Sequence, residues 1–215
     1  MDEKRGLFIA FEGIDGCGKS TQIKKFARYL FDRGKHSHVV FTRNPYKDVR
    51  IREILRADDD PMTQAEKLAE LFINDRRVQV ERVIIPSLKE GLHVVTDRFK
   101  LSTISYQAAQ GLDMNELIKK HEGMPVPDIT FIIDVSAFVA SQRMKKDSDR
   151  KVKEHKFEKY VEFSDKLREN YYKAKEVLKD EKIYIVNGER AEEEIFDEIV
   201  SIFERELREK GIEFD

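Results

Sequence analysis

A glycine-rich octapeptide constrains this chain more than any other feature. Residues 13–20 read GIDGCGKS and match the pattern G-x-x-x-x-G-K-[ST]. An apolar run, Leu7–Phe11, comes directly before it, and the stretch that begins at Lys19 reads as a helix. Glycines let the backbone curl between the two, so that successive N–H groups can point at one anion. The pattern therefore predicts a strand, a phosphate-binding turn and a helix in that order.

The residue types in this loop indicate a site for a nucleoside triphosphate. The start of the helix adds a partial positive charge beside the curled backbone. Lys19 supplies a mobile charge for the β- and γ-phosphates, and the hydroxyl of Ser20 is placed to bind Mg²⁺. Cys17 is the only cysteine, and we expect a small filler residue there rather than a redox group. The residues assigned to triphosphate binding are Gly13, Ile14, Asp15, Gly16, Cys17, Gly18, Lys19, Ser20 and Thr21.

Apolar runs and helical stretches alternate along the chain. Five short runs rich in Val, Ile and Phe lack clean alternation, as strands buried on both faces of a parallel sheet do. They are Leu7–Glu12, His38–Thr42, His93–Thr96, Ile129–Val135 and Lys182–Val186. Helices are predicted at Lys19–Arg33, Thr63–Glu90, Asn115–Glu122, Glu154–Lys179 and Glu192–Lys210. This order predicts an α/β fold, a five-stranded parallel sheet with helices on both faces, formed by residues 1–215 as a single domain.

Composition disfavours several classes of protein. The chain has 215 residues and a formal net charge of -2, which argues against a dedicated nucleic-acid binder. No segment approaches the roughly 18 apolar residues of a membrane-spanning helix. A single cysteine allows no disulfide within the chain, and the five histidines form no metal-binding signature. We therefore expect a cytoplasmic protein that binds small molecules and has no nucleic-acid or membrane partner.

A second signal lies at the end of the third apolar run. Asp97 and Arg98 follow it directly, and the carboxyl ends of strands in an open α/β sheet face the ligand crevice. An Asp there can hold Mg²⁺ through water or orient a nucleophile, and Arg98 can grip a phosphate with two N–H groups. Asp134 also ends an apolar run and is the alternative metal-site acid. We prefer Asp97 because Arg98 adjoins it.

Four stretches of the sequence carry a resemblance. They read FEGIDGCGKSTQ (Phe11–Gln22), AELFINDRR (Ala69–Arg77), DRFKLSTISYQ (Asp97–Gln107) and PDITFIIDV (Pro127–Val135). Together they resemble the thymidylate kinase family of P-loop nucleoside monophosphate kinases, over roughly residues 7–190. The resemblance implies an enzyme that uses ATP and Mg²⁺ to convert dTMP into dTDP, and that forms a homodimer.

The resemblance also implies roles on the acceptor side. Asp15 would accept a hydrogen bond from the deoxyribose 3′-hydroxyl, and Arg43 and Arg98 would hold the α-phosphate of the nucleoside monophosphate. Phe72 would stack on the thymine ring, and the alternative for Phe72 is a core aromatic on an amphipathic helix. The other residues implied for the base pocket are Arg76, as a donor to a base carbonyl, Ser102 and Gln107.

On the donor side, the resemblance implies that Arg143 and Asn187–Arg190 lie near the adenine. The chain departs from the family in two places. The turn after the second run reads RNPYK where the family usually has REPGG, so its shape is expected to differ. Gly16 stands where one subclass carries a catalytic arginine. We therefore expect the basic stretch 143–156 to be a mobile lid that supplies this charge, with Arg150 as the catalytic candidate and a solvated loop as the alternative.

Phosphoryl transfer requires alignment and neutralisation of charge more than covalent chemistry. The expected catalytic residues are therefore Lys19, Asp97, Arg98 and Arg150. A deoxynucleoside kinase is the nearest alternative, and it would need a carboxylate base such as Glu12 or Asp97. A GTPase-like switch is disfavoured because the chain contains no N-K-x-D guanine signature. A non-catalytic ATP-binding module is a third alternative, disfavoured by the complete set of charged residues at the site.

Overall fold

The computed structural model describes residues 5–57, 64–146 and 154–211, with the side chains of residues 154–160 excepted. Five strands form one sheet in the order β2-β3-β1-β4-β5, and every neighbouring pair is parallel. Each predicted strand agrees with an observed one to within one residue at either end, so the expected parallel sheet is confirmed. The strands are β1 (Phe8–Glu12), β2 (Val39–Arg43), β3 (His93–Asp97), β4 (Ile129–Asp134) and β5 (Ile183–Asn187).

Helices connect the strands and pack around the sheet. In the part of the chain that the structure describes, none of them is long and apolar enough to cross a membrane. They are α1 (Lys19–Asp32), α2 (Val49–Ala57), α3 (Ala65–Gln79), α4 (Ile85–Lys89), α5 (Lys100–Ala109), α6 (Met114–Lys119), α7 (Ala137–Lys146), α8 (Glu154–Val177) and α9 (Glu192–Glu209).

The observed helices depart from the predicted ones at α3 and at α5. The predicted helix Thr63–Glu90 contains a π-helical turn, Val80–Ile84, which joins α3 to α4. Helix α5 was not predicted, because it is buried nearly all round and so has no polar face to give a helical period. Its small polar residues occupy buried positions that an amphipathic pattern assigns to apolar ones.

The predicted lid range, residues 143–156, begins inside α7 and ends inside α8. Residues 147–153 lie outside the described residues, and Arg150 is among them. Helices α2 and α7 were also missing from the predicted set.

The central strand β1 is completely buried and contributes to two apolar clusters. Ile9 and Phe11 belong to the larger cluster, whereas Phe8 and Ala10 belong to a smaller one with residues of β3 and α4. Alternate residues of a strand face opposite sides of a sheet, so β1 is covered on both faces. This burial fixes the strand from which the glycine-rich loop departs.

An aromatic cluster holds α1 against the sheet. The ring of Phe26, fully buried on α1, lies 5.5 Å from Phe11, 6.0 Å from Phe131 and 5.0 Å from Phe203, measured between ring centroids. The contact with Phe203 joins α1 to α9 with the two rings at 90°. Because α1 begins at Lys19, this packing sets the position of the loop and of its lysine.

We expect Phe26→Ala to lower the free energy of unfolding by about 3–5 kcal/mol, because it leaves a cavity among these rings. Phe31→Ala is the matched control, since Phe31 lies on the same helix with 52% of its surface exposed. Its loss should stay within about 0.5 kcal/mol. Unfolding in urea followed by circular dichroism measures both values, and equal losses in the two variants would contradict this account of the core.

Candidate active site

The carboxyl ends of the five strands bring the predicted site residues to one edge of the sheet. In the strand register, Asp97 of β3 lies opposite Phe11 of β1 and Arg43 of β2. On the other side of β1, Asp134 of β4 lies opposite Asn187 of β5. This edge is where open parallel sheets bind ligands.

The glycine-rich loop is wedged between β4 and α7. Gly13 and Gly16 have φ angles of +136° and +81°, which side-chain-bearing residues rarely adopt. A Cβ atom on Gly13 would lie 2.6 Å from the carbonyl oxygen of Ile133, and one on Gly16 would lie 2.5 Å from that of Ala140. Backbone conformation and close packing therefore both require glycine at these two positions.

Lys19 and Ser20 stand at the first turn of α1, where no side chain caps the helix. Lys19 is buried, and its Nζ lies 3.9 Å from Oδ1 of Asp97 and 4.0 Å from Sγ of Cys17. Ser20 and Thr21 are exposed at the same end of the helix. The loop thus presents a cation, uncapped backbone N–H groups and a hydroxyl at one place, as an anion site requires.

Arg98 is held in one orientation by hydrogen bonds to groups from several elements. It has a left-handed backbone conformation, with φ +70°. Its Nη1 donates to the carbonyl oxygen of Gly13 (3.0 Å), to Oγ of Ser102 (3.0 Å) and to the hydroxyl of Tyr171 (3.3 Å). Its Nη2 donates to Asp15 (2.8 Å) and to the hydroxyl of Tyr106 (3.0 Å). The guanidinium therefore lies directly against the glycine-rich loop.

Burial alone would lower the pKa of Arg98. The hydroxyl and carboxylate groups around it outweigh burial and raise this pKa above the ordinary value, so Arg98 stays charged.

A buried carboxylate, that of Glu12, contacts the residues that hold Arg98 in place. Glu12 has no exposed surface, and its two oxygens accept hydrogen bonds from the backbone N–H of Phe99 (2.7 Å), the N–H and Oγ of Ser102, and the hydroxyl of Tyr171 (3.3 Å). Burial raises the pKa of Glu12, and the hydrogen bond from Ser102 and the charge of Arg98 oppose that shift. Glu12 thus ties the end of β1 to α5 and α8.

The two acids at the strand ends differ in what they contact. Asp134 forms a two-pronged ion pair with Arg168, with N···O distances of 2.6 and 2.7 Å, and accepts a hydrogen bond from Tyr172 (2.8 Å). Oδ1 of Asp97 is buried without a hydrogen-bond donor, with Lys19 at the edge of ion-pair distance. Of the two acids, Asp97 is therefore the one with an oxygen available for a ligand.

The turn after β2 is anchored by an acid that sequence analysis did not single out. Asp75 of α3 accepts hydrogen bonds from the backbone N–H groups of Tyr46, Lys47 (2.8 Å) and Asp48 (2.9 Å). The side chain of Gln79, one turn further along α3, donates to the carbonyl oxygen of Arg43 (3.1 Å). The RNPYK turn thus takes its shape from α3 and leaves the Arg43 side chain exposed.

Arg76, predicted to contact a base, has no exposed surface. Its Nη1 is 2.8 Å from Nε2 of His121, and its Nη2 donates to Oγ1 of Thr103 (2.9 Å). The guanidinium carbon lies 5.5 Å from the centre of the Phe99 ring. Burial lowers the pKa of Arg76 to about 10, so the side chain remains protonated at neutral pH. Its Nε is a buried donor without a partner.

The remaining predicted base-pocket residues lie on α3 and α5. Phe72 is half-buried and packs on a small cluster that contains Ile51, Leu68 and Leu71, a placement compatible with either of its two predicted roles. Gln107 is buried, with an oxygen that lacks a donor. Ser102, by contrast, has its hydroxyl engaged with Glu12 and Arg98, as described above.

Arg143 of α7 joins the glycine-rich loop to the turn after β5. Its Nη1 donates to the carbonyl oxygen of Cys17 (3.3 Å) and its Nη2 to that of Gly188 (2.9 Å). The same turn is fixed by Glu189, which accepts hydrogen bonds from the N–H and hydroxyl of Ser136 at 2.8 and 2.7 Å. The residues predicted to lie near the adenine therefore come together, although Arg143 and the turn are far apart in the sequence.

Sequence analysis missed several residues that shape this site: Asp75, Thr103, Tyr106, His121 and Tyr171. Asp75 and Thr103 are the sequence neighbours of Arg76 and Ser102, inside stretches that the sequence analysis had already singled out. Their position beside predicted site residues could therefore have identified them. His121 and Tyr171 reach the site only through the packing of α6 and α8. Their sequence surroundings contain no such signal.

Comparisons with known proteins agree on one family. The family model for thymidylate kinase matches residues 11–199. A probable thymidylate kinase from Pyrococcus horikoshii is 35% identical, over 94% of this chain and 98% of its own. The thymidylate kinase of Thermosipho africanus is 37% identical, over 94% of this chain and 100% of its own. The crystal structure of thymidylate kinase from Ehrlichia chaffeensis covers 93% of this chain and 99% of that one, at 27% identity and a TM-score of 0.72. The chain therefore belongs to the thymidylate kinase family.

Proposed function

We propose that this protein transfers the γ-phosphoryl group of ATP to dTMP and releases ADP and dTDP. The observation that carries the proposal is the hydrogen bond of Arg98 to the carbonyl oxygen of Gly13, at 3.0 Å. It places a fixed cation against the loop that also presents Lys19. One crevice thus offers separate positive groups to two phosphate-bearing substrates, which is what transfer between them needs.

On the donor side, Lys19 and the N–H groups at the start of α1 bind the β- and γ-phosphates. Arg143 and the turn Asn187–Arg190 lie against the adenine. Ser20 and Asp97 would hold Mg²⁺, and the unpartnered Oδ1 of Asp97 together with the exposed Ser20 hydroxyl fits that donor set. When bound, the metal neutralises charge on the phosphates. The described residues contain no cluster of three or more His, Cys, Asp or Glu side chains, so the other ligands would be phosphate oxygens and water.

On the acceptor side, Arg98 and Arg43 bind the α-phosphate of dTMP and reduce its repulsion from the ATP phosphates. The attacking phosphate oxygen is already anionic at neutral pH, so the reaction needs no strong general base. This favours dTMP over a nucleoside as acceptor, because a nucleoside hydroxyl requires a carboxylate base. Glu12, one candidate for that base, is fully buried and has both oxygens occupied by donors.

Residues of α3 and α5 recognise the base, and Asp15 of the glycine-rich loop recognises the sugar. Phe72 stacks on the thymine ring and Asp15 accepts a hydrogen bond from the 3′-hydroxyl. Arg76 and Gln107 contribute a buried donor and a buried acceptor that lack partners, and a thymine edge supplies the matching carbonyl and N–H. Ser102 contributes indirectly, through Glu12 and Arg98.

Three further features belong to this proposal. Residues 143–156 form a basic lid that closes over the phosphates, excludes water and brings Arg150 to the transferring group. The whole chain acts as one kinase domain and pairs with a second copy as a homodimer. We place the enzyme in the cytoplasm.

A coupled assay of ADP release across all nucleoside and deoxynucleoside monophosphates tests the proposal. We expect dTMP to give the largest kcat/KM. A larger value for any other monophosphate, or ATP consumption without any acceptor, would contradict the assignment.

We expect Lys19→Ala and Arg98→Ala to lower kcat by about 10²–10³-fold each, because each removes a positive group from the transferring phosphates. Lys24→Ala is the matched control, because Lys24 is an exposed lysine of the same helix and should keep kcat within about twofold. Circular dichroism checks that each variant is folded. A folded Lys19→Ala enzyme with normal turnover would remove the loop from the mechanism.

Asp75→Ala should raise the KM for dTMP more than the KM for ATP, because the turn that carries Arg43 loses its anchor. The free energy of unfolding should fall by about 1–3 kcal/mol, as three backbone N–H groups lose an acceptor. Glu70→Ala, at an exposed position on the same helix, is the control. Initial rates and urea unfolding supply the two measurements. An equal rise in both KM values would show that Asp75 does not act on the acceptor side alone.

A further inference from the structure

A histidine outside the four family-like stretches contacts the arginine expected to read the base. His121 lies in the turn that follows α6 and has only 4% of its surface exposed. Its Nε2 is 2.8 Å from Nη1 of Arg76, and its Nδ1 is 2.7 Å from the carbonyl oxygen of Leu117. The two contacts hold the ring between α6 and α3.

The partners of the ring determine its protonation. A carbonyl oxygen only accepts, so Nδ1 carries the proton and donates a hydrogen bond to the carbonyl oxygen of Leu117. A guanidinium only donates, so Nε2 must accept from Arg76. Burial, followed by the charge of Arg76, lowers the pKa of His121 to about 3. The hydrogen bond to Leu117 opposes this shift, and Lys100 and Arg77 add smaller effects in the lowering direction. His121 is therefore a neutral acceptor throughout the pH range in which an enzyme of this kind works.

The side chains that accept hydrogen bonds from Arg76 are neutral, so the charge of the guanidinium is left for a ligand. Within the described ranges, the side chains that accept hydrogen bonds from Arg76 are those of His121 and Thr103, and neither carries a charge. They fix the plane of the guanidinium through Nη1 and Nη2. Its Nε, a buried donor without a partner, remains to be satisfied. A carboxylate in place of His121 would fix the same plane but would neutralise the cation.

We propose that His121 is a positioning residue for acceptor recognition, which holds Arg76 so that its unpartnered Nε–H meets the carbonyl of a 4-oxo pyrimidine. The inference rests on the proposed function, because it takes dTMP as the acceptor and Arg76 as its base contact. It adds a specificity consequence. An arginine presents only donors, so a 4-amino pyrimidine such as that of dCMP places donor against donor and is rejected.

Three substitutions of His121 separate positioning from packing. His121→Phe keeps the ring and removes the acceptor. His121→Gln places an amide oxygen near the position of Nε2, whereas the shorter side chain of His121→Asn places one near Nδ1. Glu122→Ala, at the adjacent exposed position, is the surface control. For each enzyme, kcat, the KM for dTMP, the KM for ATP and the ratio of kcat/KM for dTMP over dCMP are measured.

We expect His121→Phe and His121→Asn to raise the KM for dTMP by about tenfold and to lower the dTMP/dCMP ratio by a similar factor. Their kcat and their KM for ATP should stay within about threefold of the original enzyme, because the phosphate groups are untouched. His121→Gln should restore both the KM and the ratio. In an Arg76→Met background, His121→Phe should have no further effect, because His121 acts through that arginine.

The outcomes distinguish this inference from the proposed function. If the unmodified enzyme does not phosphorylate dTMP, both are wrong. If it does, and the three His121 variants share its KM and its dTMP/dCMP ratio, only the role of His121 is wrong, whatever their thermal stability. If His121→Phe does not fold, the comparison of His121→Gln with His121→Asn decides the question, and equal behaviour of these two overturns the role.

Discussion

A carboxylate without solvent exposure, that of Glu12, lies at the end of β1 and joins three elements there. An ionised carboxylate in an apolar interior is costly unless donors surround it. Here backbone and hydroxyl donors from α5 and a hydroxyl from α8 surround its two oxygens. Because Ser102 and Tyr171 also accept from Arg98, the position of that guanidinium depends on the buried acid. Removal of the Glu12 carboxylate would therefore leave Arg98 intact but would remove support from the groups that fix its position.

Charges elsewhere in the site are also organised by what they contact. Both carboxylate oxygens of Asp134 accept hydrogen bonds from Arg168 or Tyr172, so these contacts hold α8 against the sheet. Asp97 keeps one oxygen without a donor, and Arg76 keeps one nitrogen without an acceptor. Asp134 thus stabilises the framework, whereas Asp97 and Arg76 each keep a buried atom that the described residues leave without a hydrogen bond. Buried polar groups without partners are uncommon in proteins, so those of Asp97 and Arg76 are the ones that we expect a ligand to satisfy.

Much of the fold followed from local pattern. Runs such as Ile129–Val135 are buried on both faces of the sheet. Their apolar residues therefore follow one another without regular polar alternation, and this pattern can be recognised in the sequence. The loop from Gly13 to Ser20 has a fixed spacing because its backbone conformation permits few alternatives. Helix α5 could not be identified in this way, because burial on all sides removes the polar face on which the helical pattern depends.

The parts of the site that sequence analysis missed depend on packing between distant segments. Asp75 holds backbone groups 27 to 29 residues away, and His121 meets Arg76 across 45 residues. Such contacts exist only once the helices are docked. Arg150 remains a prediction, since it lies outside the described residues.

The close fit of Gly16 against α7 restricts how this enzyme can change in evolution. A side chain at position 16 needs space now filled by the carbonyl oxygen of Ala140, and α7 also carries Arg143, which joins the loop to the turn after β5. A lineage could not place a cationic side chain at position 16 by one mutation without displacing α7, and with it the contacts of Arg143. A side chain at position 16 and a shift of α7 would therefore have to arise together.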